Sequence, residues 1–277
     1  MSVTREDIVR IGEIVMRIGD DRPSRLGRRV SQGLREVARS LDTANILLAH
    51  PAQYHRSLSI CTSAALAALP AAPTNEQRER LTTWYWRGLF REQALSKRSD
   101  SLDTAAAQLL AWLNGGPEPV TPQPQPLTEE RLLRTTKPGS PLFAALKAVI
   151  LAAGPLDWMT GEPITRHVQR HRSTAKLDAH HVFPRSYCTK AGIDESMWDS
   201  IVNKTMIGSS TNRSIGSSAP SAYLQRIVTR SGISRSTLDE RVSSHLIDPS
   251  FLWRDDFHGF LTQRASDLQA EVARLTT

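Results

Sequence analysis

The first part of the chain repeats its apolar residues at the three- and four-residue spacing of amphipathic helices. The clearest case begins at Thr74, where Gln77 three residues later completes the capping-box signature of a helix start. Apolar side chains then follow at helical spacing, at Leu81, Trp84, Tyr85 and Leu89. This pattern predicts a helix whose aromatic face lies in a core. Stacking of Trp84 and Trp86 on nucleic-acid bases is the weaker alternative.

Comparable patterns predict helices along most of the remaining chain. They cover Ile8–Ile18, Val30–Leu48 and residues 100–114, 140–154, 220–227 and 249–275. Thr128 is expected to cap a further short helix that contains Leu132 and Leu133. Residues 155–164, with the sequence PLDWMTGEPI, favour a short strand and a turn instead. The sequence therefore predicts a mainly α protein.

A proline-rich segment divides the chain into two parts. Gly115 and Gly116 are typical of a helix end, and the alternating prolines that follow favour an extended spacer. We therefore predict a helical domain over residues 1–116, a linker over residues 117–127 and a second domain over residues 128–277. The first domain has the pattern of a helical bundle, and its sequence indicates no chemistry.

Composition and charge indicate a class of protein and a class of partner. With 277 residues, 39% of them hydrophobic and 23% charged, the chain is expected to be a folded, soluble protein. No apolar stretch reaches the length of a membrane span, the N-terminus lacks a secretory signal, and the two cysteines form no C-x-x-C pair. These features predict a cytoplasmic protein without a membrane partner. The formal net charge of +7 favours a polyanionic partner, nucleic acid above all, although an arginine-rich composition alone can produce it.

Candidate chemistry is concentrated in the segment LDAHHVFPRS, residues 177–186. His180 and His181 end a short apolar run there, and neighbouring side chains on a strand point to opposite faces. Both can work at one site only if the strand ends and the chain turns, which Phe183-Pro184 favours. The pair alone is a weak signal, because adjacent histidines are more often structural or on the surface.

The order His180, His181, Asn203, Asn212, closed by the helical pattern PSAYLQRI, resembles an HNH nuclease. It is most similar to the SspE-like C-terminal nuclease domain of GmrSD-type restriction and phage-defence proteins, and it also resembles the HNH domain of RNA-guided CRISPR nucleases. The segments RLTTWYWRGLFREQ, LLAWLNGG, DWMTG and DDFHGFLTQRASDL extend the resemblance over residues 80–277. The resemblance implies a small ββα-metal (HNH) nuclease domain embedded in the helices of the second part.

The chain departs from that family in one respect. The nucleotide-hydrolysing domain of GmrSD-type proteins carries a D-G-Q-Q-R signature, and this sequence contains neither that string nor a G-x-x-x-x-G-K-[ST] loop. The chain is therefore expected to be either a fragment of a longer protein or a stand-alone nuclease part. In the second case an NTPase or sensor would be supplied separately.

The resemblance also implies a role for each of the four motif residues. His181 matches the general base, and a neutral imidazole suits that task because its ordinary pKa is about 6.5. Asn203 matches the loop residue that braces the catalytic histidine. His180 and Asn212 match the metal ligands, and this donor set favours Mg²⁺ or Mn²⁺, with Zn²⁺ or Ni²⁺ conceivable.

Charged residues beside the motif have more than one interpretation. Asp178 would share a strand face with His180, where it orients that imidazole, binds the metal or is an ordinary solvated carboxylate. Three basic residues either bind phosphates or are solvated surface charges: Arg185, Lys204 and Arg213.

Two functions of different classes remain open. The first is a metal-dependent DNA endonuclease or nickase that hydrolyses phosphodiester bonds in a bacterial restriction or anti-phage system. The second is a DNA-binding or regulatory module that does not cut, or cuts only with an NTPase partner. The complete His-His-Asn-Asn set favours the enzyme, because a binding module needs no base beside a metal ligand.

Overall fold

The computed structural model describes residues 5–18, 26–43, 56–90, 99–119, 126–164 and 179–277. These residues are mainly helical, which confirms the predicted fold class at that level. The chain divides into two compact units, Met1–Gln125 together with Leu275–Thr277, and Pro126–Arg274. The boundary falls within the segment predicted as a proline-rich linker, of which residues 120–125 lie outside the described part of the chain.

The described part of the first unit consists of five helices. They are α1 (Arg5–Ile18), α2 (Leu26–Thr43), α3 (Arg56–Ala68), α4 (Asn75–Leu89) and α5 (Ser99–Leu113). The predicted capping box is confirmed, because the Thr74 hydroxyl accepts a hydrogen bond from the Gln77 amide while the Gln77 side chain accepts one from the Thr74 amide. Trp84 and Trp86 are both buried, which confirms that they belong to the core. Helix α2 confirms the predicted helix at Val30–Leu48 as far as Thr43, and residues 44–48 lie outside the described residues.

Helix α3 packs against α1, α2 and α5. Its sequence is rich in alanine, serine and threonine, and these small side chains let neighbouring backbones approach closely. At the contact with α2, a Cβ added to Gly33 would lie 2.4 Å from the Ser63 carbonyl oxygen, so glycine is required there. Gly115, with a φ of +88°, follows the end of α5 as predicted.

The described part of the second unit contains nine further helices and two short strands, and the last helix extends beyond Arg274, where the unit ends. They are α6 (Glu129–Leu133), α7 (Pro141–Ala152), β1 (Ala179–His181), α8 (Arg185–Lys190), α9 (Glu195–Trp198), β2 (Lys204–Met206), α10 (Ser209–Ile215), α11 (Pro220–Ser231), α12 (Arg235–Ser243), α13 (Pro249–Trp253) and α14 (Phe257–Thr276). A short 3₁₀ turn, Ile201–Asn203, precedes β2. Thr128 caps α6 as predicted, because its hydroxyl accepts a hydrogen bond from the Arg131 amide.

The segment PLDWMTGEPI forms the predicted turn, but its strand is reduced to one bridge between Leu156 and Pro163. The Asp157 carboxylate accepts hydrogen bonds from the amides of Met159 and Thr160, at 3.1 and 3.0 Å. An aspartate that binds backbone amides two and three residues ahead closes a tight turn. The two sides of this turn therefore pair at only one position, Leu156 and Pro163, and do not form a sheet.

The prediction of one continuous helix over residues 249–275 is wrong. Helix α13 ends at Trp253, α14 begins at Phe257, and Asp255 between them has a φ of +54°. The Asp255 carboxylate accepts hydrogen bonds from the amide and the hydroxyl of Ser221, at 2.8 and 2.7 Å. The Asp256 carboxylate accepts one from the Gly259 amide at the start of α14. These side-chain hydrogen bonds compete with the helical backbone pattern, and the helix is interrupted.

None of the helices in the described ranges is both long enough and apolar enough to span a lipid bilayer.

Candidate active site

The histidine pair lies on β1, which pairs with β2 in a short antiparallel sheet. The residues of β1 and β2 lie opposite one another as Ala179 and Met206, His180 and Thr205, and His181 and Lys204. In such a pair, residues directly opposite each other point to the same face, and successive residues point to opposite faces. His181 and Lys204 therefore share one face of the sheet, and His180 and Thr205 share the other.

His181 is half-buried between a carboxylate and an aromatic ring. Its Nε2 lies 3.0 Å from Oδ1 of Asp199, and its ring packs edge-on against Trp198 at a centroid distance of 5.5 Å. Burial lowers the pKa of His181, and together with the positive charges of Lys204 and Arg185 it outweighs the opposing effect of Asp199. The imidazole is therefore mostly neutral at neutral pH, which is the form that a general base needs.

Asn203 is fully buried and ties the loop between the strands to the end of β1. Its Oδ1 accepts a hydrogen bond from the Phe183 amide (2.8 Å), and its Nδ2 donates to the carbonyls of Phe183 and Trp198 (3.0 and 2.8 Å). Asn203 thus holds the backbone of Phe183, two residues beyond His181, and the backbone of Trp198, whose ring packs against His181. This is a bracing position, and its importance for catalysis stays a prediction.

The chain turns directly after β1, at the residues that predict a turn. Phe183 is fully buried, and its ring packs against those of Phe257 and Phe260 at centroid distances of 5.3 and 5.1 Å. Pro184 then precedes α8 and supplies no amide hydrogen to continue the strand. Core packing therefore fixes the strand end at which His181 lies.

A buried histidine supports the opposite face of the sheet. The Thr205 hydroxyl lies 2.7 Å from Nδ1 of His245, and Nε2 of His245 lies 2.7 Å from the Leu156 carbonyl oxygen. Because a carbonyl can only accept, Nε2 carries the hydrogen and Nδ1 accepts from the hydroxyl. Burial, against the opposing hydrogen bond to Leu156, lowers the pKa of His245 to about 4. His245 is therefore a neutral link between β2 and the turn that contains Leu156.

Asp157 fixes the helix that follows β2. Its Oδ2 accepts a hydrogen bond from the Gly208 amide at 2.9 Å, and its Oδ1 accepts one from the Thr211 hydroxyl at 2.7 Å. Burial raises the pKa of Asp157, but its hydrogen bonds outweigh this and hold the pKa below its ordinary value. The ionised carboxylate thus lies at the N-terminus of α10. One of its partners, Thr211, directly precedes Asn212 in the chain.

The predicted metal ligands lie on β1 and α10. His180 and Asn212 are both half-buried, so solvent has some access to each side chain. An imidazole nitrogen and an amide oxygen fit a divalent cation that completes its coordination with water and phosphate oxygens. Among the residues that the structure describes, no three His, Cys, Asp or Glu side chains form a metal-binding group by themselves. Asp178 lies outside the described residues, and the metal site stays a prediction.

Two of the predicted phosphate-binding residues, Arg185 and Arg213, are exposed. The Arg185 guanidinium lies 5.4 Å from the centre of the Trp198 ring, which also packs against His181. Arg213 follows Asn212 on α10. Both arginines are therefore beside predicted site residues and accessible to a polyanion, and phosphate binding by them stays a prediction.

The third predicted phosphate-binding residue, Lys204, has different surroundings. Its side chain is only 6% exposed, and its Nζ lies 2.8 Å from Oδ1 of Asp199. The ammonium also lies 5.5 Å from the centre of the Phe143 ring. A buried, paired ammonium is less accessible to DNA than an exposed guanidinium, and its part in phosphate binding stays a prediction.

The structure brings three polar residues to the strand pair that no sequence pattern singles out as site residues, namely Asp199, Asp157 and His245. Each acts on a partner distant in the chain, by 18 residues from Asp199 to His181, 51 from Asp157 to Gly208 and 40 from His245 to Thr205. Hydrophobic periodicity carries no information on such pairs. For Asp157 alone there was a local signal, since D-W-M-T-G is typical of an aspartate-closed turn.

Comparison with known proteins identifies no family for this chain. No protein-family model matches it, and no solved structure is a significant match. It is 23% identical over 155 residues to an uncharacterized protein of Methanocaldococcus jannaschii, an alignment that covers 54% of this chain and 25% of that protein. The chain thus spans about a quarter of the length of that relative. The resemblance to GmrSD-type nucleases stays a prediction.

Proposed function

We propose that the second unit is a metal-dependent HNH-type endonuclease or nickase that hydrolyses phosphodiester bonds in DNA, as the nuclease part of a bacterial restriction or anti-phage system. The observation that carries this proposal is the arrangement around β1 and β2. His181, neutral and partly exposed, lies at the end of β1, and buried Asn203 braces the backbone beside it. The helix directly after β2 carries Asn212. This order of strand, strand and helix is the one that the sequence resemblance implies.

His181 accepts a proton from the attacking water. Its side chain is 26% exposed, so a water molecule can reach the ring, and burial keeps the ring unprotonated before the reaction. Removal of that proton during attack raises the nucleophilicity of the water. The neighbouring Trp198 ring and the Asn203 hydrogen bonds hold the imidazole in place while the proton moves.

The remaining residues bind the substrate. A divalent cation held by His180 and Asn212 would neutralise charge on the scissile phosphate and on the departing 3′ oxygen. Arg185 and Arg213 bind neighbouring phosphates, and the net charge of +7 attracts DNA to the protein. Water attacks phosphorus, the bond to the 3′ oxygen breaks, and that oxygen takes up a proton from solvent while protonated His181 later returns its proton to solvent. The products therefore carry a 5′-phosphate and a 3′-hydroxyl.

The second candidate is a DNA-binding or regulatory module that cuts only together with an NTPase partner, or not at all. The observation in its favour is that the sequence carries neither the D-G-Q-Q-R string nor a P-loop. In that case the same basic residues bind DNA, and His181 acts only after a partner has delivered the substrate.

The test is cleavage of supercoiled plasmid by the purified full chain with Mg²⁺ or Mn²⁺. We expect open-circular or linear DNA whose ends a ligase can rejoin without repair. The His181→Ala variant should lose about 10²- to 10⁴-fold of the rate, the contribution typical of a general base. The control is His258→Ala, which removes an exposed histidine of α14 and should leave the rate unchanged.

Three results would contradict the nuclease proposal. Cleavage that survives His181→Ala would exclude this histidine as the base. Ends that cannot be ligated directly would exclude the proposed bond cleavage. Tight DNA binding with an intact plasmid in every metal would favour the second candidate, which addition of the partner NTPase then tests.

A further inference from the structure

Asp199 connects the two residues that face each other across the strand pair. Its Oδ1 lies 3.0 Å from Nε2 of His181 and 2.8 Å from Nζ of Lys204. Because His181 and Lys204 are opposite each other in the register, one carboxylate oxygen can bind both from the loop between the strands. The three groups form one cluster on a single face of the sheet.

The Asp199 carboxyl group is ionised in this cluster. Burial raises its pKa, but the hydrogen bonds from Lys204 and His181 outweigh this and hold the pKa below its ordinary value. An ionised carboxylate only accepts hydrogen bonds, and an ammonium only donates them. The contact between Asp199 and His181 therefore requires a hydrogen on Nε2 of the imidazole. In the neutral ring, Nδ1 then has no hydrogen and is the nitrogen that can accept a proton.

We propose that Asp199 is a positioning residue that, with its carboxylate oriented by Lys204, holds His181 in the tautomer with hydrogen on Nε2 and leaves Nδ1 to face the water. The proposal rests on the proposed function, because only a general base makes the choice of nitrogen matter. During attack Nδ1 takes the proton of the water, the ring becomes an imidazolium, and Asp199 keeps its hydrogen bond to Nε2 without taking the proton.

The surroundings of Asp199 favour a positioning role over a purely structural ion pair. Trp198, the residue before it, packs against the His181 ring, and its carbonyl is held by the buried Asn203 amide at 2.8 Å. The loop that carries the carboxylate is thus fixed relative to the imidazole. Within the described residues, the Asp199 side chain hydrogen-bonds only His181 and Lys204. Its removal therefore takes the partner from the imidazole and from the buried Lys204 ammonium, but from no backbone group.

The decisive measurement is the tautomer of His181 in the full chain, observed at the ring nitrogens by long-range ¹H–¹⁵N NMR and assigned with His181→Ala. We expect the unmodified protein to show hydrogen on Nε2 and a bare Nδ1. In Asp199→Ala the ring should change to a mixture of tautomers. The control is Asp194→Asn, which removes an exposed negative charge at the N-cap of α9 but keeps an acceptor for the Ser196 amide. It should leave the His181 signals unchanged.

Kinetics on plasmid give the second readout. Asp199→Ala should lower kcat by about 10- to 100-fold, as loss of a group that orients a functional side chain commonly does, with KM unchanged. Asp194→Asn, which keeps the helix cap, should leave both constants unchanged.

Hydrogen on Nδ1 in the unmodified protein would overturn the proposal, and this result needs no variant to fold. So would a folded Asp199→Ala variant with the tautomer unchanged, or one in which only KM changes. If no variant and no unmodified protein cleaves DNA while the tautomers behave as expected, the proposed function fails and the assignment of Asp199 to the tautomer stands.

Discussion

His180 and His181 are chemically identical neighbours with different surroundings. His181 shares its face of the sheet with Lys204 and lies against Asp199. His180 shares its face with Thr205, whose hydroxyl binds the buried His245. A side chain held by a carboxylate is suited to proton transfer, and the role of its neighbour as a metal ligand stays a prediction. Removal of His181 is therefore expected to lower the rate of cleavage, whereas removal of His180 is expected to weaken metal binding.

Alanine variants of the two histidines test this division of roles by calorimetric titration with Mn²⁺. His181→Ala should bind Mn²⁺ as the unmodified chain does, because the predicted ligands His180 and Asn212 remain. His180→Ala should bind Mn²⁺ more weakly, since it removes one of the two protein ligands that the proposal assigns to the cation. Its cleavage activity should recover in part at high metal concentration. If His181→Ala abolishes binding while His180→Ala preserves it, the two roles are reversed.

At the scale of single residues, the sequence shows the order of the motif residues but does not show which residues surround them in the fold. The four motif residues could be proposed from the sequence because their order along the chain resembles that of a known family, and their roles stay predictions. Asp199 could not, because its importance depends on a loop that returns to the strand end, and one aspartate among 28 acidic residues has no distinguishing local pattern. The same holds for Lys204, which the sequence leaves open as a surface charge and the structure buries beside Asp199.

The elements around the site depend on buried side chains that join one segment to another. Asn203 links the loop between the strands to the residues after β1, and Asp157 links the PLDWMTGEPI turn to α10. The helices themselves follow from local signals such as the Thr74 capping box and the Thr128 cap. The break at Asp255 does not, because it depends on Ser221, which lies 34 residues away. Elements specified locally could thus be predicted, and elements specified by distant partners could not.

The two asparagines of the motif form a matched pair for a test of stability. Asn203→Ala leaves the Phe183 amide and the Trp198 carbonyl without the side-chain partner, and the Phe183 carbonyl keeps only the weak contact from the Cys188 thiol. We expect the free energy of unfolding to fall by on the order of 3 kcal/mol. Asn212→Ala changes a half-buried side chain in α10 and should alter it by less than about 0.5 kcal/mol, while weakening Mn²⁺ binding. Urea denaturation followed by circular dichroism measures the first effect and calorimetry the second. Equal stability losses in the two variants would show that Asn203 does not brace the loop.

At the scale of the whole molecule, the mainly helical class follows from the repeated amphipathic pattern, which is a property of each segment alone. The pairing of β1 with β2 does not follow in this way, because each strand has three residues and the second is fully buried. Alternation of polar and apolar residues over three positions cannot identify a strand. Packing of the buried Phe183 ring against Phe257 and Phe260 helps to hold the end of β1 in place, and these three rings come from segments more than 70 residues apart in the chain.

Burial of the neutral His245 should make the stability of the second unit depend on pH. In the unfolded chain this histidine binds a proton near its ordinary pKa of about 6.5, whereas the folded protein lowers the pKa to about 4. Between these values the unfolded state binds more protons, so the free energy of unfolding falls as the pH falls through this window, by roughly 3 kcal/mol in total. At pH values above the window the contribution of His245 to stability is fully present.

The comparison of the unmodified chain with His245→Gln isolates this effect. Glutamine can donate to the Leu156 carbonyl and accept from the Thr205 hydroxyl, but it does not titrate. The variant should be less stable near neutral pH because its shape fits less well, and its stability should change less between pH 6.5 and 4. His181→Ala removes a partly exposed histidine and should reduce the change in stability between pH 6.5 and 4 much less, because water stabilises the charged form of this histidine. Urea denaturation across this pH range gives the three profiles. Parallel slopes for the unmodified chain and His245→Gln would mean that His245 is protonated in the folded protein or is not the group that titrates.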